Sequence, residues 1–219
     1  MSPKFGIIAT ELKCHAPFTL FGAFTGIVCM LLFRNLEHDV SRRIFYVFHP
    51  GHVLLSAIVI ASMFQLHAGR GKLIAVVLVG FLGSLCIGTL SDSLIPYLGE
   101  ILLGMRLETH AHEHGGFAEE AHIGFIEGWY VVIPAAIAGV VIALVKPKTK
   151  FPHAGHVLLS TWASSFHMLM AMEGHITVFK ALGSFGFLFL AVLVPCCFSD
   201  IVFPLLFVKS NAASCHAHH

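Results

Sequence analysis

Charged residues are scarce in this sequence: of its 219 residues, 13 are lysine or arginine and 12 are aspartate or glutamate. Hydrophobic residues make up 57% of the chain and the mean hydropathy is +0.84, which leaves too little polar surface for an ordinary water-soluble domain. The formal net charge of +1 offers no basic surface, so no nucleic-acid partner is expected. The composition predicts an integral membrane protein in contact with the lipid bilayer.

The sequence also lacks the strict alternation of apolar and polar residues that a transmembrane β-barrel requires. Helices remain, and each needs about 20 mostly apolar residues to cross the hydrocarbon core. Six stretches qualify, and they are Ala16 to Phe33, Ile44 to Ala68, Leu73 to Gly99, Gly128 to Val145, Phe151 to Met172 and Ala181 to Val208. The predicted fold class is an all-α integral membrane protein with six transmembrane helices.

Basic residues are distributed unevenly between the two sides of this predicted membrane domain. If the six helices alternate in direction, the side with both termini carries eight lysines and arginines, whereas the opposite side carries five basic and nine acidic residues. The positive-inside rule then places both termini in the cytoplasm, as expected for a protein of the cell's inner membrane.

A short motif occurs twice in the chain. HPGHVLLS occupies residues 49–56 and HAGHVLLS occupies residues 153–160, an offset of 104 residues. A second match, at an offset of 108 residues, pairs Ser91, Asp92 and Pro96 with Ser199, Asp200 and Pro204. Two matches in the same order indicate that the chain arose by duplication.

Each half of the duplicated chain contains three predicted crossings. Because three is odd, the second half must lie upside down in the membrane relative to the first, as in the inverted repeats of many secondary transporters. The predicted organisation is residues 1–104 as the first three-helix repeat, 105–126 as a His- and Glu-rich extracytoplasmic loop, 127–209 as the second repeat and 210–219 as a His-rich cytoplasmic tail. One copy of the motif is then expected near each face of the membrane.

The repeated histidines have the spacing of metal ligands. Histidines at positions i and i+3 project from one face of a helix, and an aspartate on the next helix supplies a third donor. Two imidazoles with one carboxylate suit zinc, manganese, iron, cobalt or nickel, and zinc is favoured by the ligand types. The predicted ligands are His49, His52 and Asp92 near the outer face and His153, His156 and Asp200 near the inner face, with His67, His175 and His167 as further candidates.

Each aspartate stands four residues before a proline. Pro96 cannot donate a hydrogen bond to the carbonyl of Asp92, and Pro204 cannot donate to that of Asp200, so a broken helix is expected at each site. Breaks of this kind are typical of ion sites in transporters. The structural alternative is that the aspartates cap short helices while the histidines anchor helix ends in the lipid headgroups.

Other potential donors lie outside the repeated motif. The segment between the halves, LETHAHEHGGFAEEAH, contains four histidines, and the tail ends in SCHAHH; such tracts gather metal ions loosely or are simply solvated. The six cysteines give no disulfide framework, since four of them lie in predicted spans. His167 stands in HMLMAM, and Cys196 and Cys197 follow Pro195, a set that suits either cuprous copper or core packing.

These features predict a membrane transporter or exporter of a divalent transition-metal cation. Protons are expected as counter-ions, because histidine must be deprotonated to bind a metal. One alternative is a bis-histidine haem cytochrome, since His52 and His67 are 15 residues apart and His153 and His167 are 14 apart. An intramembrane metalloenzyme is the weaker alternative, because neither HExxH nor HxxHH occurs in the spans. A homo-oligomer is left open.

Overall fold

The computed structural model describes the backbone of residues 3–68, 72–105, 122–147, 150–172 and 177–197, and the side chains of 16–66, 72–105, 122–124, 126–147, 154–172 and 177–195. All regular structure in these residues is helical, which confirms the predicted all-α class for this part of the chain. In chain order the helices are α1 Pro3–Leu32, α2 His38–Ala68, α3 Leu73–Thr89, a π-helix Leu90–Leu94, α4 Ile95–Leu102, α5 Gly124–Glu127, α6 Trp129–Val145, α7 Lys150–Met170 and α8 Val178–Cys197.

Three of the helical segments are both long and apolar enough to cross a bilayer. They are His38–Leu66, Leu73–Leu102 and Val178–Pro195. Two shorter segments, Ala16–Leu32 and Trp129–Val145, are also apolar. The six predicted stretches all fall wholly or partly in helices, while six membrane crossings stay a prediction.

The exterior of the helical bundle is apolar and its interior contains ionisable groups. Ile74 and Leu32 are 76% and 73% exposed, whereas His52 and Asp92 are completely buried. A water-soluble protein has the reverse distribution, with charged groups outside and apolar groups inside. The distribution is compatible with lipid around the bundle.

The two helices that carry the repeated motif, α2 and α7, pack directly against each other. Their contacts are Phe45 with His167, Phe48 with Trp162, His52 with His156, and Leu55 with Gly155. Residue numbers rise along α2 as they fall along α7, so the two helices are antiparallel. Around this pair, α3 and α6 pack against α2, α1 and α8 pack against α7, and the π-helix and α4 pack against both α7 and α8.

The glycine of each motif allows α2 and α7 to approach closely. The side chain of Leu55 lies against Gly155, and that of Leu159 lies against Gly51. Each glycine therefore receives the second leucine of the other motif, and a Cβ atom at either position would come within 3.2 Å of a leucine methyl carbon. Small residues at helix contacts serve this kind of packing in membranes.

α2 begins earlier than the apolar stretch indicates, at His38 rather than at Ile44. Asp39 in its first turn suits the positive end of the helix dipole, so the polar residues before the apolar stretch continue the helix. At 1.5 Å per residue, His49 and His52 lie about 16 and 21 Å along the axis from the start of α2. Both histidines are therefore near the middle of the helix and not at its mouth.

The helix around Asp92 is widened rather than broken. Between Leu90 and Leu94 the chain is π-helical, and the N–H of Ile95 donates to the carbonyl of Leu90. Pro96 has no N–H to donate, and the wider turn accommodates the missing bond while the chain remains helical from α3 into α4. The predicted break is wrong in form, but an irregular turn does occur there, and π-helical turns are frequent at functional sites.

Candidate metal centre

Asp92 is bonded to both histidines of the first motif. Its Oδ2 atom lies 2.9 Å from Nδ1 of His49 and 2.7 Å from Nδ1 of His52, and all three side chains are buried. An ionised carboxylate can only accept hydrogen bonds, so each Nδ1 carries a proton and donates it. One nitrogen from each ring therefore meets the same carboxylate oxygen between α2 and the π-helix.

Hydroxyl groups surround the other oxygen of Asp92. Oδ1 lies 2.7 Å from the hydroxyl of Ser91 and 2.8 Å from that of Ser160 on α7. The hydroxyl of Ser164, one turn further along α7, lies 2.9 Å from the carbonyl oxygen of Ser91. With two imidazole and two hydroxyl donors, the carboxylate is compensated for the loss of water in the bundle interior.

The three predicted ligands are hydrogen-bonded directly to one another. Zinc lies about 2.0–2.2 Å from each nitrogen or oxygen ligand, so the present distances between the Nδ1 atoms and Oδ2 leave no space for it. Among the described residues, no three His, Cys, Asp or Glu side chains are arranged to hold a metal ion. His49, His52 and Asp92 are thus brought together, and they are held by hydrogen bonds to one another.

His156 of the second motif lies beside the first motif. Its ring stacks on that of His52, with the ring centroids 5.8 Å apart and 15° between the planes. The expectation that the two motifs lie near opposite faces of the membrane is therefore wrong for these two residues. The reason is the antiparallel pairing of α2 and α7, which cross at these two equivalent residues and so bring them to the same level.

Two residues of the second set and two of the further candidates lie outside the residues whose side chains are described. His67 and His153 lie in α2 and α7, but their side chains are outside the described residues. His175 and Asp200 are outside the described residues altogether. The second ligand set stays a prediction.

His167 belongs to a second buried pair of an imidazole and a carboxylate. Its Nδ1 lies 2.6 Å from Oε1 of Glu100 in α4, and neither side chain is more than 1% exposed. Sequence reasoning missed Glu100, which stands one residue beyond the predicted span ending at Gly99; an acid at the end of an apolar stretch is the available signal. The neighbouring Met168 lies in the apolar core, which favours packing over metal binding for this methionine.

A polar cluster lies near the start of α2 and is centred on Glu127. One carboxylate oxygen is 3.2 Å from Nδ1 of His122, and the other is 2.5 Å from the Tyr46 hydroxyl and 3.4 Å from Arg42. A cavity of about 430 Å³ adjoins the cluster and is lined by Asp39, Arg42, Arg43, Tyr46, Glu127 and Tyr130. Burial raises the pKa of the Glu127 carboxyl, but hydrogen bonds from His122 and Tyr46 outweigh burial and hold that pKa below its usual value. The ionised form of Glu127 is therefore favoured.

His122 connects this polar cluster with the buried histidines. Its ring centroid lies 6.0 Å from that of His167. Its backbone φ is +43°, a left-handed conformation uncommon outside glycine, and its carbonyl oxygen lies 3.2 Å from the hydroxyl of Ser93. Two residues further on, Gly124 lies against the imidazole of His49, where any Cβ atom would overlap the ring. The segment 122–127 therefore covers the first motif on the side of the polar cluster around Glu127.

Comparison of the chain with protein-family models, with curated proteins and with solved structures finds no match. The chemistry and position of the buried cluster are therefore the basis for assigning a function.

Proposed function

We propose that this protein is a membrane transporter for a divalent transition-metal cation, with zinc as the favoured cargo. The observation that carries the proposal is that Nδ1 of His49 and Nδ1 of His52 both lie within hydrogen-bond distance of Oδ2 of Asp92, in a buried position. Ionisable groups are costly in apolar surroundings and mark functional sites in membrane proteins. Two imidazoles with one carboxylate form a donor set of zinc and related metals that leaves coordination positions open for passage.

Cargo enters among these three atoms as they move apart. Ligand distances of about 2.0–2.2 Å require the Nδ1 atoms to retreat from Oδ2 by roughly 0.5 Å. The proton on each Nδ1 moves to Nε2 of the same ring, so that Nδ1 presents a lone pair to the cargo. When cargo leaves, the same atoms return to their hydrogen bonds with one another. Because these hydrogen bonds give each of the three atoms a partner after cargo leaves, release leaves none of the three unpaired in the bundle interior.

The helix contacts support an inverted repeat. In an inverted repeat, α1 corresponds to α6, α2 to α7 and α3 to α8. The contact of α1 with α7 then corresponds to that of α6 with α2, and the contact of α1 with α8 corresponds to that of α6 with α3. All four of these helix pairs pack together. The same exchange turns the contact of Leu55 with Gly155 into that of Leu159 with Gly51. Because α2 and α7 are antiparallel, the axis relating the halves lies in the membrane plane, as in secondary transporters of this plan.

A serine of the first motif supports a second ligand set around Asp200. Ser160 donates to Asp92, and its repeat equivalent Ser56 is buried with a hydroxyl that has no hydrogen-bond partner among the described residues. In the oppositely open state, Ser56 takes for Asp200 the role that Ser160 takes for Asp92, and His153 and His156 complete the set. The cargo site then alternates between equivalent ligands close to the middle of the membrane.

The orientation of the protein follows from the distribution of basic residues. If the chain crosses the inner membrane six times and both termini lie in the cytoplasm, α2 begins on the outer side of the membrane. The polar cluster around Glu127, near the start of α2, then faces the outside. The cavity beside this cluster is then the outer approach to His49 and Asp92.

The test uses the purified full chain, first in detergent and then in sealed lipid vesicles. We expect the wild-type protein to bind zinc and to load vesicles with it. Loss of an outer-shell partner lowers metal affinity by roughly 10–100-fold, and the double variant His52→Ala, His156→Ala should lose more zinc affinity than that. His38→Ala is the matched control, because His38 lies on the same helix and its side chain is 50% exposed. The proposal fails if vesicles with wild-type protein take up no more zinc, manganese, cobalt or nickel than protein-free vesicles; a haem absorbance band in the purified protein would favour the cytochrome alternative.

A further inference from the structure

We propose that the cavity at the start of α2 and α6 binds the phosphate group of a membrane phospholipid. The cavity has a volume of about 430 Å³, and the residues that line it are Asp39, Arg42, Arg43, Tyr46, Glu127 and Tyr130. A volume of this size is typical of small-molecule sites. Binding of this kind requires a surrounding membrane but not the transport function, so the two proposals fail independently.

The two arginines of the cavity differ in their partners. The Arg42 guanidinium lies 3.4 Å from a carboxylate oxygen of Glu127 and 5.8 Å from the centroid of the Tyr46 ring. Glu127 also accepts from Tyr46 and His122, so its negative charge is compensated within the protein. Arg43 is exposed and makes no ion pair with any residue that the structure describes. The positive charge of Arg43 is therefore available to an anion that enters the cavity.

Asp39 does not neutralise Arg43, although both residues line the cavity. They stand one helical turn apart on α2, yet these two described side chains form no ion pair with each other. The Asp39 carboxylate lies 3.6 Å from the neighbouring His38 instead, and its side chain is 80% exposed. Water and salt screen a charge in that position, so Asp39 repels an anion beside Arg43 only weakly.

The donors of the cavity match a phosphate group. A guanidinium presents parallel N–H groups that fit two phosphate oxygens, and charge-assisted bonds of this kind are the stronger hydrogen bonds in proteins. The Tyr130 side chain brings a phenol hydroxyl, a neutral donor, to the same cavity. Arg43 belongs to α2 and Tyr130 to α6, so a phosphate held by both residues joins the starts of two helices.

Apolar residues near the cavity indicate that the phosphate belongs to a lipid. Val47 follows Arg43 by one turn on α2, Val131 follows Tyr130 on α6, and both valines are exposed. Trp129 is exposed beside Tyr130, and these two residue types are enriched where a bilayer meets water. The cavity therefore lies where the polar start of α2 gives way to the apolar exterior. A lipid phosphate in the cavity leaves its acyl chains along this exterior, whereas a free phosphate gains nothing from it.

The test measures lipid binding by the purified full chain in detergent. Native mass spectrometry reports how much phosphatidylglycerol the protein retains, and diacylglycerol with the same acyl chains is the lipid without a phosphate. We expect the wild-type protein to retain phosphatidylglycerol in preference to diacylglycerol. Arg43→Gln removes the charge but keeps a polar side chain, and it should lower the affinity for phosphatidylglycerol by roughly three- to tenfold.

Arg34→Gln is the matched control for this variant. Arg34 is exposed and lies on the connection between α1 and α2, nine residues before Arg43, but it is not among the residues that line the cavity. The same charge is removed, so Arg34→Gln should keep the wild-type affinity for phosphatidylglycerol. Equal affinities of Arg43→Gln and wild type overturn the inference, and so does equal retention of the two lipids by the wild-type protein.

Thermal unfolding provides a second measurement and identifies the source of the phosphate. A ligand that binds only the folded protein stabilises it, so phosphatidylglycerol should raise the Tm of wild type and Arg34→Gln more than that of Arg43→Gln. If inorganic phosphate alone raises the wild-type Tm as much as phosphatidylglycerol does, the cavity binds a free anion and its assignment to a lipid is wrong. None of these measurements involves zinc, so their failure leaves the transport proposal standing, and a lack of zinc uptake leaves lipid binding standing.

Discussion

The rings of His52 and His156 stack on each other although the two residues are 104 positions apart in the sequence. They occupy equivalent positions in the two copies of the motif, so a residue meets its own counterpart at the contact between α2 and α7. Equivalent residues of a twofold arrangement meet only at the axis that relates the halves. Since His52 also donates to Asp92, the proposed cargo site adjoins the axis of the proposed repeat, and a movement of α2 against α7 would displace both.

Replacing Asp92 with asparagine tests the role of its charge. The amide keeps the size of the side chain, but its single carbonyl oxygen cannot accept from two imidazoles and two hydroxyls as the carboxylate does. We expect the affinity for zinc to fall by at least about tenfold, measured by calorimetry on the purified protein. Asp39→Asn is the control, because the Asp39 side chain is 80% exposed. Equal zinc affinities of Asp92→Asn and wild type would show that this carboxylate takes no part in binding.

The covering segment can be tested without removing a polar group. A methyl group introduced by Gly124→Ala would overlap the imidazole of His49 and push the ring away from Asp92. We expect an affinity loss of about tenfold or more, comparable to the loss of an outer-shell contact. Gly186→Ala, which adds its methyl group in open space, is the control. A Gly124→Ala protein with wild-type zinc affinity would mean that His49 is not a ligand or that the segment moves aside freely.

Helix packing around the motif predicts a stability difference between two glycine variants. A Cβ atom at Gly139 on α6 would meet the backbone carbonyl oxygen of Leu54 on α2, which cannot rotate away as a side chain can. Gly139→Ala should lower the free energy of unfolding by about 1–3 kcal/mol. Gly186→Ala should leave it unchanged or raise it by up to about 1 kcal/mol, since alanine is the better helix former. Denaturant unfolding in detergent measures both; equal stabilities would contradict the close packing of α6 on α2.

The first motif shows what residue spacing can predict and what it cannot. The i, i+3 spacing was sufficient to place His49 and His52 on one face of a helix, and an acid within an apolar stretch was sufficient to single out Asp92. The position of His156 beside His52 depends on antiparallel packing of two helices far apart in the sequence, which local spacing does not contain. Glu100 was missed because it stands one residue beyond the predicted span, and its contact with His167 on another helix is likewise not contained in local spacing.

Acid should loosen the polar cluster around Glu127. The pKa of this carboxyl lies below its ordinary value of 4.5 in the folded protein, so its ionised form stabilises the fold. This contribution is complete above pH 4.5 and is lost as the pH falls through the lower folded pKa. Glu127→Gln should therefore unfold at a lower temperature than wild type near neutral pH, and the two melting temperatures should converge in acid. Asp39→Asn, which removes an 80% exposed charge from the first turn of α2, should lower the melting temperature less than Glu127→Gln does near neutral pH. A constant difference between Glu127→Gln and wild type at every pH would assign the effect to lost packing and not to the charge of Glu127.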